Sequence, residues 1–182
     1  MLFRSSTMDL ALKAVSEQRP ELHGMGTTLT SIAIINSHAV LLHIGDSRAY
    51  RIRGKKITQI SHDHTVVQEL IDQGRLSPDE VAEHPQRSLL TQALMGNLNV
   101  DSALIVFPLE EGDIYLVSSD GLTTVVDESK IASAFSADLQ SGIDSLIDLT
   151  YKNGAPDNVT IIAAQVGENS LTLEPITIGA AS

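Results

Sequence analysis

The sequence predicts an α+β fold of stacked, mostly antiparallel β-sheets flanked by helices. Three observations carry this. Strand-like segments follow one another through residues 27–60, joined by short turns. A helical insert, two more strands and two helices then precede a closing strand, and long alternating βαβ units are missing. The apolar content is high, 42% of 182 residues, but only 3% is aromatic, so the core is built of Ile, Leu, Val and Ala. A chain of this length forms one domain and can bury a full core.

The elements follow in order. Leu10, Leu12, Ala14 and Val15 predict a short helix over residues 8–18, ended by Pro20. Its acids, and Glu21 after it, read as polar surface. His23 to Gly26 is a flexible entry into an alternating, β-branched run, Thr27 to Ile35, which is a strand. Asn36-Ser37 turns the chain into a second strand that ends near Gly45-Asp46. Residues 47–53 and 56–60 form two more strands around Gly54-Lys55, and the four together read as an antiparallel meander.

A weakly apolar insert follows. Val66, Val67, Leu70 and Ile71 place one apolar face on a helix over residues 65–73. Ser77-Pro78-Asp79-Glu80 starts a second helix: serine cap, proline in the first turn, glutamate at the third position. Arg87 to Met95 predicts a third, closed by Gly96. Leu104 to Leu109 is a strand, and Glu110 to Asp113 a hairpin turn into Ile114 to Ser119. Residues 127–135 and 139–151 are helices, the second with Ile143, Leu146, Ile147 and Thr150 on one face. Val159 to Val166 is the last strand. The domain is therefore expected over residues 1–166, with residues 167–182 as a carboxy-terminal tail.

The central stretch is Ile114 to Gly121. An apolar run buried on both faces stops at Asp120, and glycine follows at once. A carboxylate at the end of a buried strand is rigidly held, and the glycine admits a close neighbour. Two further acids repeat the arrangement. Asp46 ends the second strand after Gly45, and Asp157 precedes Asn158 and the last strand. Each alone is also a turn former. Together, at strand ends, Asp46, Asp120 and Asp157 are candidates to converge on a hard divalent ion, Mg²⁺ or Mn²⁺.

Composition excludes several classes. Formal charge is −11, so no basic face for nucleic acid is expected. There is no cysteine, which rules out thiol catalysis, zinc thiolates and disulfides. No apolar run is long enough to cross a bilayer and the start lacks the apolar core of a signal peptide, so no membrane partner and a cytoplasmic location are expected. Other side chains carry weaker signals. His43 reads as a core or edge histidine, and the His62-Asp63-His64 cluster as a metal site or, through Asp63, a helix cap. Ser118 and Ser119 lack a nucleophile elbow. Gly24-Met25-Gly26 lacks the lysine and helix of a phosphate loop. Arg48 and Arg87 are candidates to meet phosphate, or to pair with a nearby aspartate.

Met25 to Thr28, His43 to Tyr50, His84 to Leu90, Ser118 to Leu122 and Gly154 to Thr160 resemble, in order and spacing, the bacterial branch of the protein phosphatase 2C family. The resemblance covers about residues 8–166. It implies a metal-dependent serine/threonine phosphatase in which Asp120 and Asp157 bind the central pair of Mn²⁺ or Mg²⁺ ions and act in catalysis. Asp46, with Asp120, would bind a third. Residues 62–86 resemble the flap beside the active site. A phosphorylated protein is the implied substrate and a serine/threonine kinase the implied counterpart. The family's first strands carry an arginine that grips phosphate and an Asp-Gly motif whose aspartate bridges the central metals. The resemblance begins after them, so a domain lacking its first strands is expected. The alternative function is a phosphatase-like module without catalysis that binds a phosphoprotein or kinase.

Overall fold

The computed structural model describes residues 2–96 and 102–167, so the expected tail lies outside the described residues from Glu168 onward. Two antiparallel sheets form its centre. One has three strands in the order β1-β2-β5, with β1 Leu29–Ile35, β2 His38–Ile44 and β5 Ala103–Pro108. The other has the order β4-β3-β6-β7, with β3 Arg48–Arg53, β4 Lys56–Gln59, β6 Ile114–Ser118 and β7 Ile161–Gln165. The helices are α1 Leu2–Gln18, α2 Val66–Asp72, α3 Asp120–Thr123, α4 Glu128–Ala134 and α5 Leu139–Lys152. Among the described residues, no helix is long and apolar enough to cross a membrane.

Alternation along β6 divides its side chains between two layers. Ile114 and Leu116 join Tyr50 and Ile52 of β3 in a core with Leu122, Val126, Ile131, Phe135 and Leu146 from the helical layer. Tyr115 points the other way and stacks on Phe107 of β5, ring centroids 5.9 Å apart, so the two sheets face one another. In α5, Leu146 and Thr150 are fully buried, as the expected apolar face requires, and Asp138 caps the helix by accepting from the Ser141 N–H at 2.9 Å.

Four elements and one side chain differ from the sequence expectation. The four strands after residue 27 are not one meander. β1 pairs with β2, β3 pairs with β4, and the chain changes sheets at Gly45-Asp46-Ser47. β2 has β1 on one edge and the later strand β5 on the other, which leaves no edge of β2 for β3. Residues 110–113 likewise form no hairpin: β5 and β6 belong to different sheets. Asp113 fixes that crossing. Its buried carboxylate accepts from Arg53 Nε (2.6 Å) and Nη2 (2.7 Å), from the Glu110 N–H (3.1 Å) and from the Tyr115 hydroxyl (3.3 Å).

No helix forms over residues 87–95. Leu90 bridges to Thr65 and Leu94 to Thr27, and the Thr91 N–H donates to the His64 carbonyl at 2.9 Å. Backbone groups needed for helical bonding are engaged across the chain instead. The segment at Pro78–Glu83 is a 3₁₀ helix, although the expected serine–glutamate cap is present: Glu80 accepts from the Ser77 N–H and hydroxyl. Asp9 is buried rather than superficial, because it accepts from the Met95 and Gly96 N–H groups at 3.0 and 2.7 Å and ties α1 to that loop. Glu17 and Glu21 are exposed, as expected.

Candidate functional site

The ends of β2 and β6 and the segment leading into β7 bring the three predicted acids to one cavity. Asp46, Asp120 and Asp157 all line it, together with Arg48, Asp63 and Arg87; its volume is about 630 Å³. Pro78, Val81 and Ala82 of the insert form an apolar part of its wall.

Each acid is placed by a different local device. Gly45, at φ +105°, turns the chain out of β2 in a conformation that disfavours side chains, and Asp46 follows. Ser47 next to it is held by Thr28, hydroxyl to hydroxyl at 2.9 Å, and its carbonyl accepts from the Thr30 hydroxyl at 3.0 Å. Asp120 begins α3, directly after β6. Its neighbour Ser119 laces β6 to the segment before β7: the hydroxyl donates to the Asn158 carbonyl (3.3 Å) and accepts from the Thr160 N–H (3.0 Å). Asp157 accepts from the Asn158 N–H at 2.7 Å. The Ser119 hydroxyl is thus engaged in positioning two of the acids, consistent with its lacking a nucleophile elbow.

Electrostatics couple two of the acids, Asp46 and Asp120. Burial pushes the Asp46 carboxyl above its ordinary value, and the nearby Asp120 charge pushes it in the same direction. Arg48 relieves this only slightly, because its guanidinium is engaged elsewhere. Its Nε and Nη2 reach Asp63 Oδ2 at 2.8 and 2.7 Å, while Asp63 Oδ1 accepts from Gln59 at 2.8 Å. Two carboxylates that repel each other at a cavity wall suit a divalent cation. Among the described residues, however, no group of three or more acid, histidine or cysteine side chains is gathered closely enough to hold an ion unaided. The donor set therefore fits a hard ion that keeps several waters, as Mg²⁺ and Mn²⁺ do.

The weaker candidates separate. The helix cap before α2 is Thr65, whose hydroxyl accepts from the Gln68 N–H at 3.2 Å, and not Asp63. The two histidines beside Asp63 do not share a site. His62 pairs with Asp72 on the exposed surface at 2.7 Å, while His64 Nδ1 accepts from the Gly45 N–H at 3.1 Å. His43 is fully buried, the core and not the edge reading, with Nδ1 2.9 Å from the Thr30 hydroxyl. Arg48 pairs with Asp63 and not with the adjacent Asp46. That partner lies 15 residues away and could be found only from the fold.

No protein-family model matches the chain. Individual relatives do. The serine/threonine protein phosphatase PstP of Mycobacterium tuberculosis is 42% identical over 174 residues, which is 94% of this chain but 34% of that protein. The chain thus spans about a third of the length of that relative. A crystal structure of the Mycobacterium tuberculosis serine/threonine phosphatase PstP/Ppp superimposes with a TM-score of 0.84 at 42% identity, covering 88% of this chain and 68% of the other. The catalytic domain of PstP, solved in complex with two manganese ions, gives a TM-score of 0.81 at 39% identity, covering 88% and 67%. With the antiparallel sheets, the helical layer and the strand-end aspartates in place, these matches show that the chain belongs to the bacterial protein phosphatase 2C (PPM) family.

Proposed function

We propose that the chain serves metal-dependent hydrolysis of phosphoserine and phosphothreonine in proteins, with Mn²⁺ or Mg²⁺ held by Asp46, Asp120 and Asp157. The convergence of these three carboxylates on one cavity is the observation that carries the reading. A related catalytic domain that was solved with two manganese ions supports it. A bound divalent ion would supply an acidified water and neutralise phosphate charge.

The chain's own part is positioning. Asp120, directly after the buried strand β6, and Asp157, laced to it through Ser119, would hold the central ion. Asp46 would hold its neighbour. Arg87, on the cavity wall beside Ser88, is free of the Arg48–Asp63 pairing and would meet the phosphate. Residues 62–86 would act as the flap, with Val81 and Ala82 touching the substrate chain. We take residues 1–166 as the domain and 167–182 as its tail. The substrates would be products of a serine/threonine kinase, and the location the cytoplasm.

A second reading is a phosphatase-like module that binds a phosphoprotein or kinase without turning it over. The lack of a gathered three-ligand group among the described residues favours it. Turnover of a phosphothreonine peptide by the purified chain, titrated with Mn²⁺, separates the two. Slow Mn²⁺-dependent release of phosphate that D120N and D157N abolish supports the enzyme. Saturable peptide binding without any Mn²⁺-dependent release supports the module. Hydrolysis that is indifferent to Mn²⁺ and to both substitutions contradicts the assignment of these acids.

A further inference from the structure

We infer that His64 is a positioning residue for the Asp46 corner, acting through the backbone of Gly45. The inference rests on the metal reading above only where it speaks of ion affinity. Gly45 lies one residue past the last ladder position of β2, so its N–H has left the sheet. It donates to His64 Nδ1 at 3.1 Å, and the Gly45 carbonyl accepts from the His64 N–H at 2.8 Å. One residue therefore grips both polar groups of the glycine that immediately precedes Asp46.

His64 is itself clamped. Its carbonyl accepts from the Thr91 N–H at 2.9 Å, and its ring lies against buried His43, centroids 5.0 Å apart. His43 is tied to Thr30, and Thr30 to the Ser47 carbonyl on the far side of Asp46. The corner 45–47 is thus braced from both ends, through His64 on one side and Thr28 and Thr30 on the other. The Asp46 carboxyl, repelled by Asp120 and half-buried, would move outward without such a brace. The acceptor at Nδ1 is what matters. A donor there would face the Gly45 N–H, so the ring carries its proton on Nε2.

Three variants test this: H64N, which places an amide oxygen where Nδ1 stood; H64Q, which places it one bond further out; and H64L, which has no acceptor. Hydrogen exchange at the Gly45 amide is read without metal, and Mn²⁺ affinity by calorimetry. H62N, on the exposed side of the cluster, is the control. The expected result is wild-type behaviour in H64N and H62N. In H64L and H64Q, Gly45 exchange should be about tenfold faster and Mn²⁺ binding about tenfold weaker, the usual cost of losing a group that orients a ligand. If H64L does not fold, H64N against H64Q decides. Wild-type protection and affinity in both H64L and H64Q overturn the inference, as does equal damage in H64N and H64L. If no protein, wild type included, takes up Mn²⁺, the metal reading falls and the Gly45 amide alone decides on His64.

Discussion

The Cα of Gly121 packs directly against the carbonyl oxygen of Asn158, with no room for a Cβ between them. This contact joins the residue after Asp120 to the residue after Asp157. Two acids 37 positions apart in sequence therefore share one cavity because a single glycine lets their backbones touch.

Substitution G121A should break that contact. The methyl group would meet backbone atoms rather than a movable side-chain end, so the α3 start or the 157–159 segment must shift. We expect a loss of about 1–3 kcal/mol of stability and weaker Mn²⁺ binding than the stability loss alone explains. Thermal melting with and without Mn²⁺ checks it. A variant with an unchanged melting temperature and an unchanged Mn²⁺-induced rise would refute the contact's role.

The buried His43 makes stability fall in mild acid. Burial lowers its pKa in the folded chain from the ordinary 6.5, and neighbouring His64 lowers it further. Below about pH 6.5 the unfolded chain binds a proton that the folded chain refuses. Stability is therefore present above that value and is lost as pH falls beneath it, by at most about 1.4 kcal/mol per pH unit from this one group. Denaturant unfolding at pH 7.5, 6.5 and 5.5 should show the slope in wild type and a shallower one in H43Q. Identical slopes would mean that other groups govern the acid limb.

Much of this architecture is legible in the chain itself. Strand positions, the burial of β6 and the acid at each of three strand ends follow from local alternation and from where apolar runs stop. Which sheet receives the next strand does not. Gly45-Asp46-Ser47 and residues 110–113 have the composition of ordinary hairpin turns, and only the completed edges of β2 and the pairing of β6 with β3 and β7 reveal the crossings. The helix expected at residues 87–95 fails for the same reason, since the bridges to Thr27 and Thr65 come from distant segments. Arg48 pairing with Asp63, and Asp9 serving as a buried acceptor, are likewise long-range choices.

The Arg48–Asp63 pair should behave as a coupled unit. R48M leaves the buried Asp63 carboxylate with Gln59 alone, whereas D63N leaves the partly exposed Arg48 side chain access to water. R48M should therefore cost more, about 2–4 kcal/mol given the pair's partial exposure. The double variant should recover about 1–2 kcal/mol relative to the sum of the single ones. Strictly additive losses in a double-mutant cycle would show that the two side chains do not depend on each other.

Asp46, Asp120 and Asp157 should act together as one metal centre. Calorimetric titration of Mn²⁺ into wild type, D46N, D120N and D157N at neutral pH tests it most directly. We expect weak, saturable binding by wild type, lowered by about tenfold or more in D120N and D157N, at least about 1.4 kcal/mol, and lowered or reduced in stoichiometry in D46N. Equal Mn²⁺ affinity and stoichiometry in all four proteins would contradict it.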